Sequence, residues 1–338
     1  MNTLKMNILI FCSRLLLVCI VNDAYSQANN NPLPPGILVD AGGHKLHLNI
    51  EGKGTPTVLL ENGSGDFSFI WSLVQPGVAK FTKVVAYDRA GYAWSEPGPT
   101  PRTSRQICFE LHTALNNAGI KGPYIFVGQS FGGFLVRAFA RYYPNEVVGM
   151  VLVEAVQENE RIFMGGDAPK RIRDLATGKI EQAPQTFFKP LSIENITPVK
   201  LDSTIESPFD RLPDSIKNLQ IWAQSQDGYR SSAGGEMDWS PEDVANMYKH
   251  RGEASYMLGN IPLIVLTRGS GGYDGRADSA KLESERLMLQ GELAHLSTNN
   301  RHIIDKNSGH NIHLEDPAIV ISAIKDVFIA VKNQKKLN

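Results

Sequence analysis

The sequence predicts an α/β fold in which a mostly parallel sheet is flanked by helices and interrupted by a largely helical lid insertion. Three observations predict it. From residue 56 onward, short and nearly continuous apolar runs alternate with polar loops and amphipathic stretches, the pattern of strands buried on both faces between layers of helix. One run, ending at Val127, passes through a glycine-flanked serine directly into a helical stretch. Between about residues 156 and 258 the alternation breaks down, and it resumes afterwards.

Ahead of the alternation, the Pro-rich stretch Asn31-Pro32-Leu33-Pro34-Pro35 leads to short strands at 37–40 and 44–50. In the second strand Leu46, Leu48 and Ile50 alternate, and Gly42-Gly43 suits the hairpin turn between the two. Buried strands are expected at 57–60, 83–87, 124–127, 147–153, 263–266 and 302–304. Thr103, with Gln106 three residues on, resembles a capping box; Ile107, Leu111 and Leu115 then recur every four residues, so a helix there turns one stripe inward. A last helix begins near Pro317 and carries Val320, Ile324, Val327 and Val331 at helical spacing. Within 156–258, Met164-Gly165-Gly166-Asp167 and the stretches 182–190 and 228–237 read as loops between short helices. A lid in that place selects substrate and excludes water. The core is then 27–155 together with 259–338.

At 338 residues, with 42% hydrophobic and 20% charged content, the chain suffices for one large domain with an insertion or for two. A formal net charge of -1 offers no cationic surface for a phosphate backbone, so nucleic acid is excluded as a ligand class. The basic end, with Lys332, Lys335 and Lys336, reads as a solvated tail. Residues 1–26 read as an export signal: Lys5 supplies the positive region, an apolar stretch starts at Ile8 and resumes from Leu15 to Val21, and Ala24-Tyr25-Ser26 is a small-x-small cleavage site. Cleavage leaves Gln27 first and the protein periplasmic or secreted. Arg14 interrupts the apolar run, which falls short of the roughly 20 residues of a spanning helix, so no stable membrane insertion is expected. Cys19 faintly resembles a lipoprotein site, but Val18 stands where a small residue belongs. With Cys12 and Cys19 in the signal, Cys108 alone remains in the mature chain, and no intramolecular disulfide forms.

The strongest local signal is Gly128-Gln129-Ser130-Phe131-Gly132-Gly133, between a strand candidate and the helical run 135–143. A sharp strand-to-helix turn puts the Ser130 hydroxyl at an exposed, strained position, and small residues permit the close backbone approach. The start of the helix offers the Phe131 N–H to a developing oxyanion. A second signal, Ser308-Gly309-His310-Asn311-Ile312-His313, follows the last strand candidate. His310 is placed to take the proton from Ser130 and return it to a leaving group, whereas His313 leads into the helix and reads as a packing residue. No Cys, His or carboxylate cluster at ligand spacing accompanies them, so neither a metal nor a cofactor is expected. The histidines at 44, 47, 112, 250, 295 and 302 are read as structural.

With Tyr87-Asp88-Arg89-Ala90-Gly91-Tyr92-Ala93-Trp94-Ser95, similar to a loop after the fourth strand, these motifs resemble the serine-nucleophile α/β-hydrolases, which include proline iminopeptidases, esterases and lactonases. The resemblance extends from about Ile37 to Val331. It implies the α/β-hydrolase fold and an oxyanion loop in which a His-Gly pair precedes the donor residue. Counting back from Trp71 places Asn62-Gly63 at that pair and the backbone N–H of Ser64 at the donor position. Asn62 for His and Gln129 for His are departures. The resemblance also implies an acid, with two candidates. Glu154 closes the strand after the elbow, 24 residues beyond Ser130, and fits without adjustment; Asp274, the alternative, lies later than usual in the loop after the penultimate strand. Serine at the elbow argues against the related dehalogenase and epoxide hydrolase branches, whose nucleophile is aspartate.

The function expected is cleavage of a small ester or amide through an acyl-enzyme on Ser130, with a small-molecule substrate as partner. A non-catalytic small-molecule-binding protein on the same fold is the alternative from another class, and a cofactor-free lyase or peroxidase-like enzyme is a third.

Overall fold

Eight strands form one mixed sheet in the computed structural model, which describes residues 31–162, 170–171 and 205–337 except 239, 252 and 254–256. The export signal, its cleavage site and Cys19 lie outside the described residues, as does much of the first half of the insertion. Residues from Gly36 onward form one compact unit. Among the described residues, no helix is long and apolar enough to cross a membrane.

Strands β1 (Ile37–Asp40) and β2 (Lys45–Glu51) make the expected antiparallel hairpin. β2 runs antiparallel to β4 (Val84–Tyr87), and from there β3 (Thr57–Glu61), β5 (Tyr124–Gln129), β6 (Val147–Val153), β9 (Leu263–Arg268) and β10 (Asn300–Asp305) follow in parallel, in the order β1-β2-β4-β3-β5-β6-β9-β10. β7 (Arg161–Ile162) and β8 (Lys170–Arg171) form a separate two-stranded ladder within the insertion. Every residue of β3, β4, β5 and β9 is buried. Their side chains split by alternation: Leu59, Val85, Phe126, Leu152 and Val265 enter one core layer, while Val58, Ile125, Val151 and Ile264 enter the other.

The helices that cover the sheet include α1 (Gln75–Ala79), α2 (Ser104–Asn117), α3 (Phe131–Tyr142), α7 (Ser279–Ala294), α8 (Ile312–Glu315) and α9 (Pro317–Asn333). The Thr103 side chain accepts from the Gln106 N–H and caps α2, but the reciprocal half of the box is not made, because the Gln106 amide donates to Glu110 instead. Helix α3 starts at Phe131, four residues earlier than the helical pattern suggests, immediately after the serine. Among the described residues of the insertion, α4 (Asp214–Ser225), α5 (Asp227–Asp238) and α6 (Ser240–Lys249) contribute no strand to the main sheet, and α5 is a helix where a loop is expected at 228–237. The parallel strands β3, β5, β6, β9 and β10 end on the same edge, so their following loops bring Asn62, Ser130, Glu154, the 269–274 loop and His310 to one side.

Candidate active site

Ser130 sits between the last residue of β5 and the first of α3 with φ 52° and ψ −120°. An L-residue holds such a conformation only where its surroundings over-determine it. Here the Ser130 N–H donates to the Val153 carbonyl at 3.1 Å, and its own carbonyl accepts from Val156 N–H at 2.9 Å. Gly132 completes the fit: a Cβ there would lie 2.5 Å from the carbonyl oxygens of both Glu61 and Asn62. Close approach of α3 to the loop after β3 thus requires glycine. Phe131 occupies the first helical position, where helix geometry supplies no intrahelical acceptor for the N–H.

The loop after β3 is held by side chains that also explain its departure from a His-Gly pair. Buried Asn62 donates from Nδ2 to the Tyr87 carbonyl at 2.8 Å and accepts at Oδ1 from Trp71 Nε1 at 2.8 Å, so the amide supplies both polarities at once. Gly63 follows it, and a Cβ at Gly63 would stand 3.4 Å from Ser130 Cβ. Ser64 is exposed at the mouth of this loop. Arg89, from the motif after β4, is buried behind it. Its Nη1 donates to Glu61 at 2.9 Å and the Asn62 carbonyl at 2.8 Å, its Nη2 to the Gly63 carbonyl at 2.7 Å, and Nε and Nη2 both reach Glu236 of α5. The Tyr87 hydroxyl donates to the other oxygen of Glu61. Burial, only partly opposed by Arg89 and Tyr87, pushes the Glu61 pKa up to about 7.

Gln129 ties the elbow to the histidine loop. Its Nε2 donates to the His310 carbonyl at 3.3 Å and reaches Asn311 Oδ1 at 3.5 Å. The Gly309 N–H is anchored by Glu315 at 3.0 Å. The His310 ring retains solvent exposure, and among the described residues it makes no hydrogen bond, either to Ser130 or to a carboxylate. Desolvation, then the positive charges of Arg268 and Arg286, lower its pKa to about 4. His313 is fully buried against Trp71, with ring centroids 4.8 Å apart and no partner for either nitrogen among the described residues. Burial, then His310, lowers its pKa to about 3, which keeps it neutral.

Glu154 follows β6 with φ 42° and is buried. Its carboxylate accepts from the Arg268 N–H at 2.7 Å, from Arg268 Nε at 3.1 Å, and from Arg286 Nη1 at 2.9 and 3.1 Å. These contacts occupy both oxygens. Burial raises its pKa, against the pull of Arg286 and Arg268. Glu160, half-buried, is pushed to about 7 by burial and then by the charge of Glu154. Asp274 is exposed on the loop after β9. The elbow, the loop after β3 and the histidine loop are therefore brought together, while Glu154 is joined to two arginines and Asp274 stands apart in solvent. Among the described residues, no group of three His, Cys, Asp or Glu side chains is placed to hold a metal ion.

The arginines carried no signal in the periodicity. Arg268 ends an apolar strand and Arg286 lies in α7, each a lone cation that reads as surface until the fold turns it inward.

Comparison with known proteins places these features. Over 284 residues the chain is 25% identical to the uncharacterized protein YqjL of Bacillus subtilis, covering 84% of this chain and 88% of that one. It is 33% identical over 129 residues to efuK, a probable transporter of Hormonema carpetanum; the match covers 36% of this chain and only 18% of that relative. Among solved structures, the epoxide hydrolase CorEH superposes with a TM-score of 0.60 at 18% identity, covering 87% of this chain and 98% of that one, a likeness of fold. The model of the alpha/beta hydrolase family matches residues 58–323, spanning all of the strands from β3 to β10, and the chain belongs to that family.

Proposed function

We propose that the protein is an exported serine hydrolase that cleaves a small ester or amide through an acyl-enzyme on Ser130. The observation that carries this reading is the over-determined positive φ of Ser130 at the elbow, with the His310 loop tied to it through Gln129. In the reaction, Ser130 Oγ attacks the carbonyl carbon as His310 takes its proton; His310 returns the proton to the leaving group, and water releases the acyl group by the same steps. Backbone N–H groups of Ser64 and Phe131 stabilise the oxyanion. A serine at the elbow separates this reading from aspartate chemistry on the same fold.

Glu154 is the acid in this reading, and Asp274 the alternative. The role asks Glu154 to accept from the His310 ring, and so to exchange an arginine contact for it. The test is turnover on short acyl esters, lactones and aminoacyl amides. Ser130→Ala abolishes it, and Glu154→Gln lowers it by up to about ten-thousand-fold with folding verified, while Asp274→Asn costs little. A crippled Asp274→Asn beside a mild Glu154→Gln moves the acid to the loop after β9. The His310 ring, without a hydrogen bond among the described residues, favours a second reading, a binding protein without catalysis. Absence of turnover on every substrate in a folded protein supports that reading.

Export rests on Lys5, the apolar stretch and Ala24-Tyr25-Ser26. Mass measurement of the native protein is expected to find Gln27 or a close neighbour first; Met1 retained in a cytoplasmic fraction refutes it.

A further inference from the structure

Within the oxyanion loop a second ionisable group faces the nucleophile. The Asp66 carboxylate oxygen Oδ2 lies 2.9 Å, and Ser130 Cβ 3.4 Å, from the point that a Cβ on Gly63 would occupy, which bounds their separation at 6.3 Å. The same point lies 2.3 Å from Gln129 Oε1, a buried oxygen with no hydrogen-bond partner among the described residues, so the absence of a side chain at Gly63 lets that amide oxygen, Asp66 and Ser130 converge there. Asp66 is half-buried, and among the described residues its carboxylate accepts no hydrogen bond. Arg89, whose charge acts on it, is no hydrogen-bond partner for it: the five N–H groups of Arg89 are all taken by Glu61, Glu236 and the Asn62 and Gly63 carbonyls. Tyr229 of α5 stands beside it, its hydroxyl donating to the Gly65 carbonyl at 2.9 Å and its ring 5.1 Å from that of Phe67. Burial raises the Asp66 pKa to about 6, with Arg89 pulling the other way, so the group is an anion at neutral pH. A partly dehydrated anion without a hydrogen-bonded cation, next to an aromatic wall, attracts positive charge.

We infer that Asp66 is a recognition carboxylate that selects substrates carrying an ammonium group within a few bonds of the scissile carbonyl. This rests on the serine hydrolase reading above and narrows its substrate class. The bound of 6.3 Å from Ser130 Cβ to Asp66 Oδ2 sets the reach: an ammonium two to four bonds from a carbonyl attached to Ser130 Oγ falls within range of Asp66, beside the acceptor oxygen of Gln129. Attraction of the carboxylate for the charge, with charge-assisted hydrogen bonding where the ammonium carries N–H groups and ring contact where it does not, distinguishes it from its neutral isostere by roughly ten- to a hundredfold.

Two isosteric pairs test it on the mature protein: the 4-nitrophenyl esters of β-alanine and butanoic acid for the acyl side, and butanoylcholine with 3,3-dimethylbutyl butanoate for the alcohol side. Fluorophosphonate labelling at Ser130 is followed in the same preparation. The expected result is a kcat/KM preference of roughly tenfold or more for the cationic member of at least one pair, and collapse of that ratio toward one in folded Asp66→Asn. A labelled wild type that hydrolyses the neutral esters with no preference in either pair overturns the recognition and leaves the serine reading standing. Preference undiminished in folded Asp66→Asn also overturns it. Neither labelling nor hydrolysis removes both readings. The wild-type comparison needs no variant to fold.

Discussion

Histidine 310 has the pKa of a base that works in acid. Desolvation, then Arg268 and Arg286, disfavour its protonated form, lowering the pKa from an ordinary 6.5 to about 4. A general base must be neutral to accept the Ser130 proton, so activity is lost only as pH falls through the folded-state pKa. With the ring unpaired in the free enzyme, the acid limb of kcat/KM against pH is therefore expected well below 6.5, toward 4, whereas a Glu154 contact already made in the free enzyme moves it upward. Arg268→Gln, by removing a positive charge, moves that limb upward. A wild-type limb near 6.5 contradicts a ring left unpaired beside the two arginines in the free enzyme and accords with a Glu154 contact there. At this scale the sequence was most informative where a residue type carries its own chemistry. Ser130 and His310 stand out because few residue types can serve as nucleophile and base. The partners of Glu154 did not stand out, since Arg268 and Arg286 come from a strand end and a distant helix and meet only in the folded chain. Asp66 was equally silent, because nothing in a one-dimensional pattern reports which side of Gly63 a carboxylate takes.

The elements that decide the site meet at Arg89. From the loop after β4 its guanidinium holds the carbonyls of Asn62 and Gly63 on one side and Glu236 of α5 on the other, with Tyr92 also donating to Glu236 at 2.9 Å. Further contacts between the same layers are Asp243 of α6, which accepts from both the N–H and the hydroxyl of Ser104 at 2.7 Å, and Trp222 against Trp94 at 5.2 Å. Breaking a buried ion pair by removing one partner leaves the other charge uncompensated, at a cost of roughly 3–5 kcal/mol. Glu236→Ala is accordingly expected to lower thermal stability by roughly 6 °C or more and to speed proteolysis within 205–258. Turnover falls as well, because Arg89 then loses the contact that orients it under the oxyanion loop. Unchanged stability and proteolysis contradict the coupling. The strands and outer helices were legible from periodicity to within a few residues. The insertion was legible only as an interruption: Ile216, Leu219 and Ala223 of α4 and Val244 and Met247 of α6 do recur at helical spacing against the core, but the stripes are short, and the ion pairs and aromatic contacts beside them leave no repeating pattern.

For the whole molecule, the parallel strands align the C-terminal loops, and two core layers hold the sheet rigid beneath them. That frame places a strained serine, a loop histidine and the loop after β3 within one region, although those residues are scattered from position 62 to 310. The fold was readable because three separated motifs occur in the order of one family. Substrate choice was not, because it belongs to side chains such as Asp66 and Tyr229 whose neighbours are set by the insertion. The central claim is that Ser130 is the nucleophile, and reaction of the purified mature protein with a fluorophosphonate probe, followed by mapping of the labelled peptide, tests it most directly. A single covalent adduct is expected on Ser130 and is absent from folded Ser130→Ala. Labelling that persists in Ser130→Ala, or none at all in a wild type that turns over esters, contradicts it.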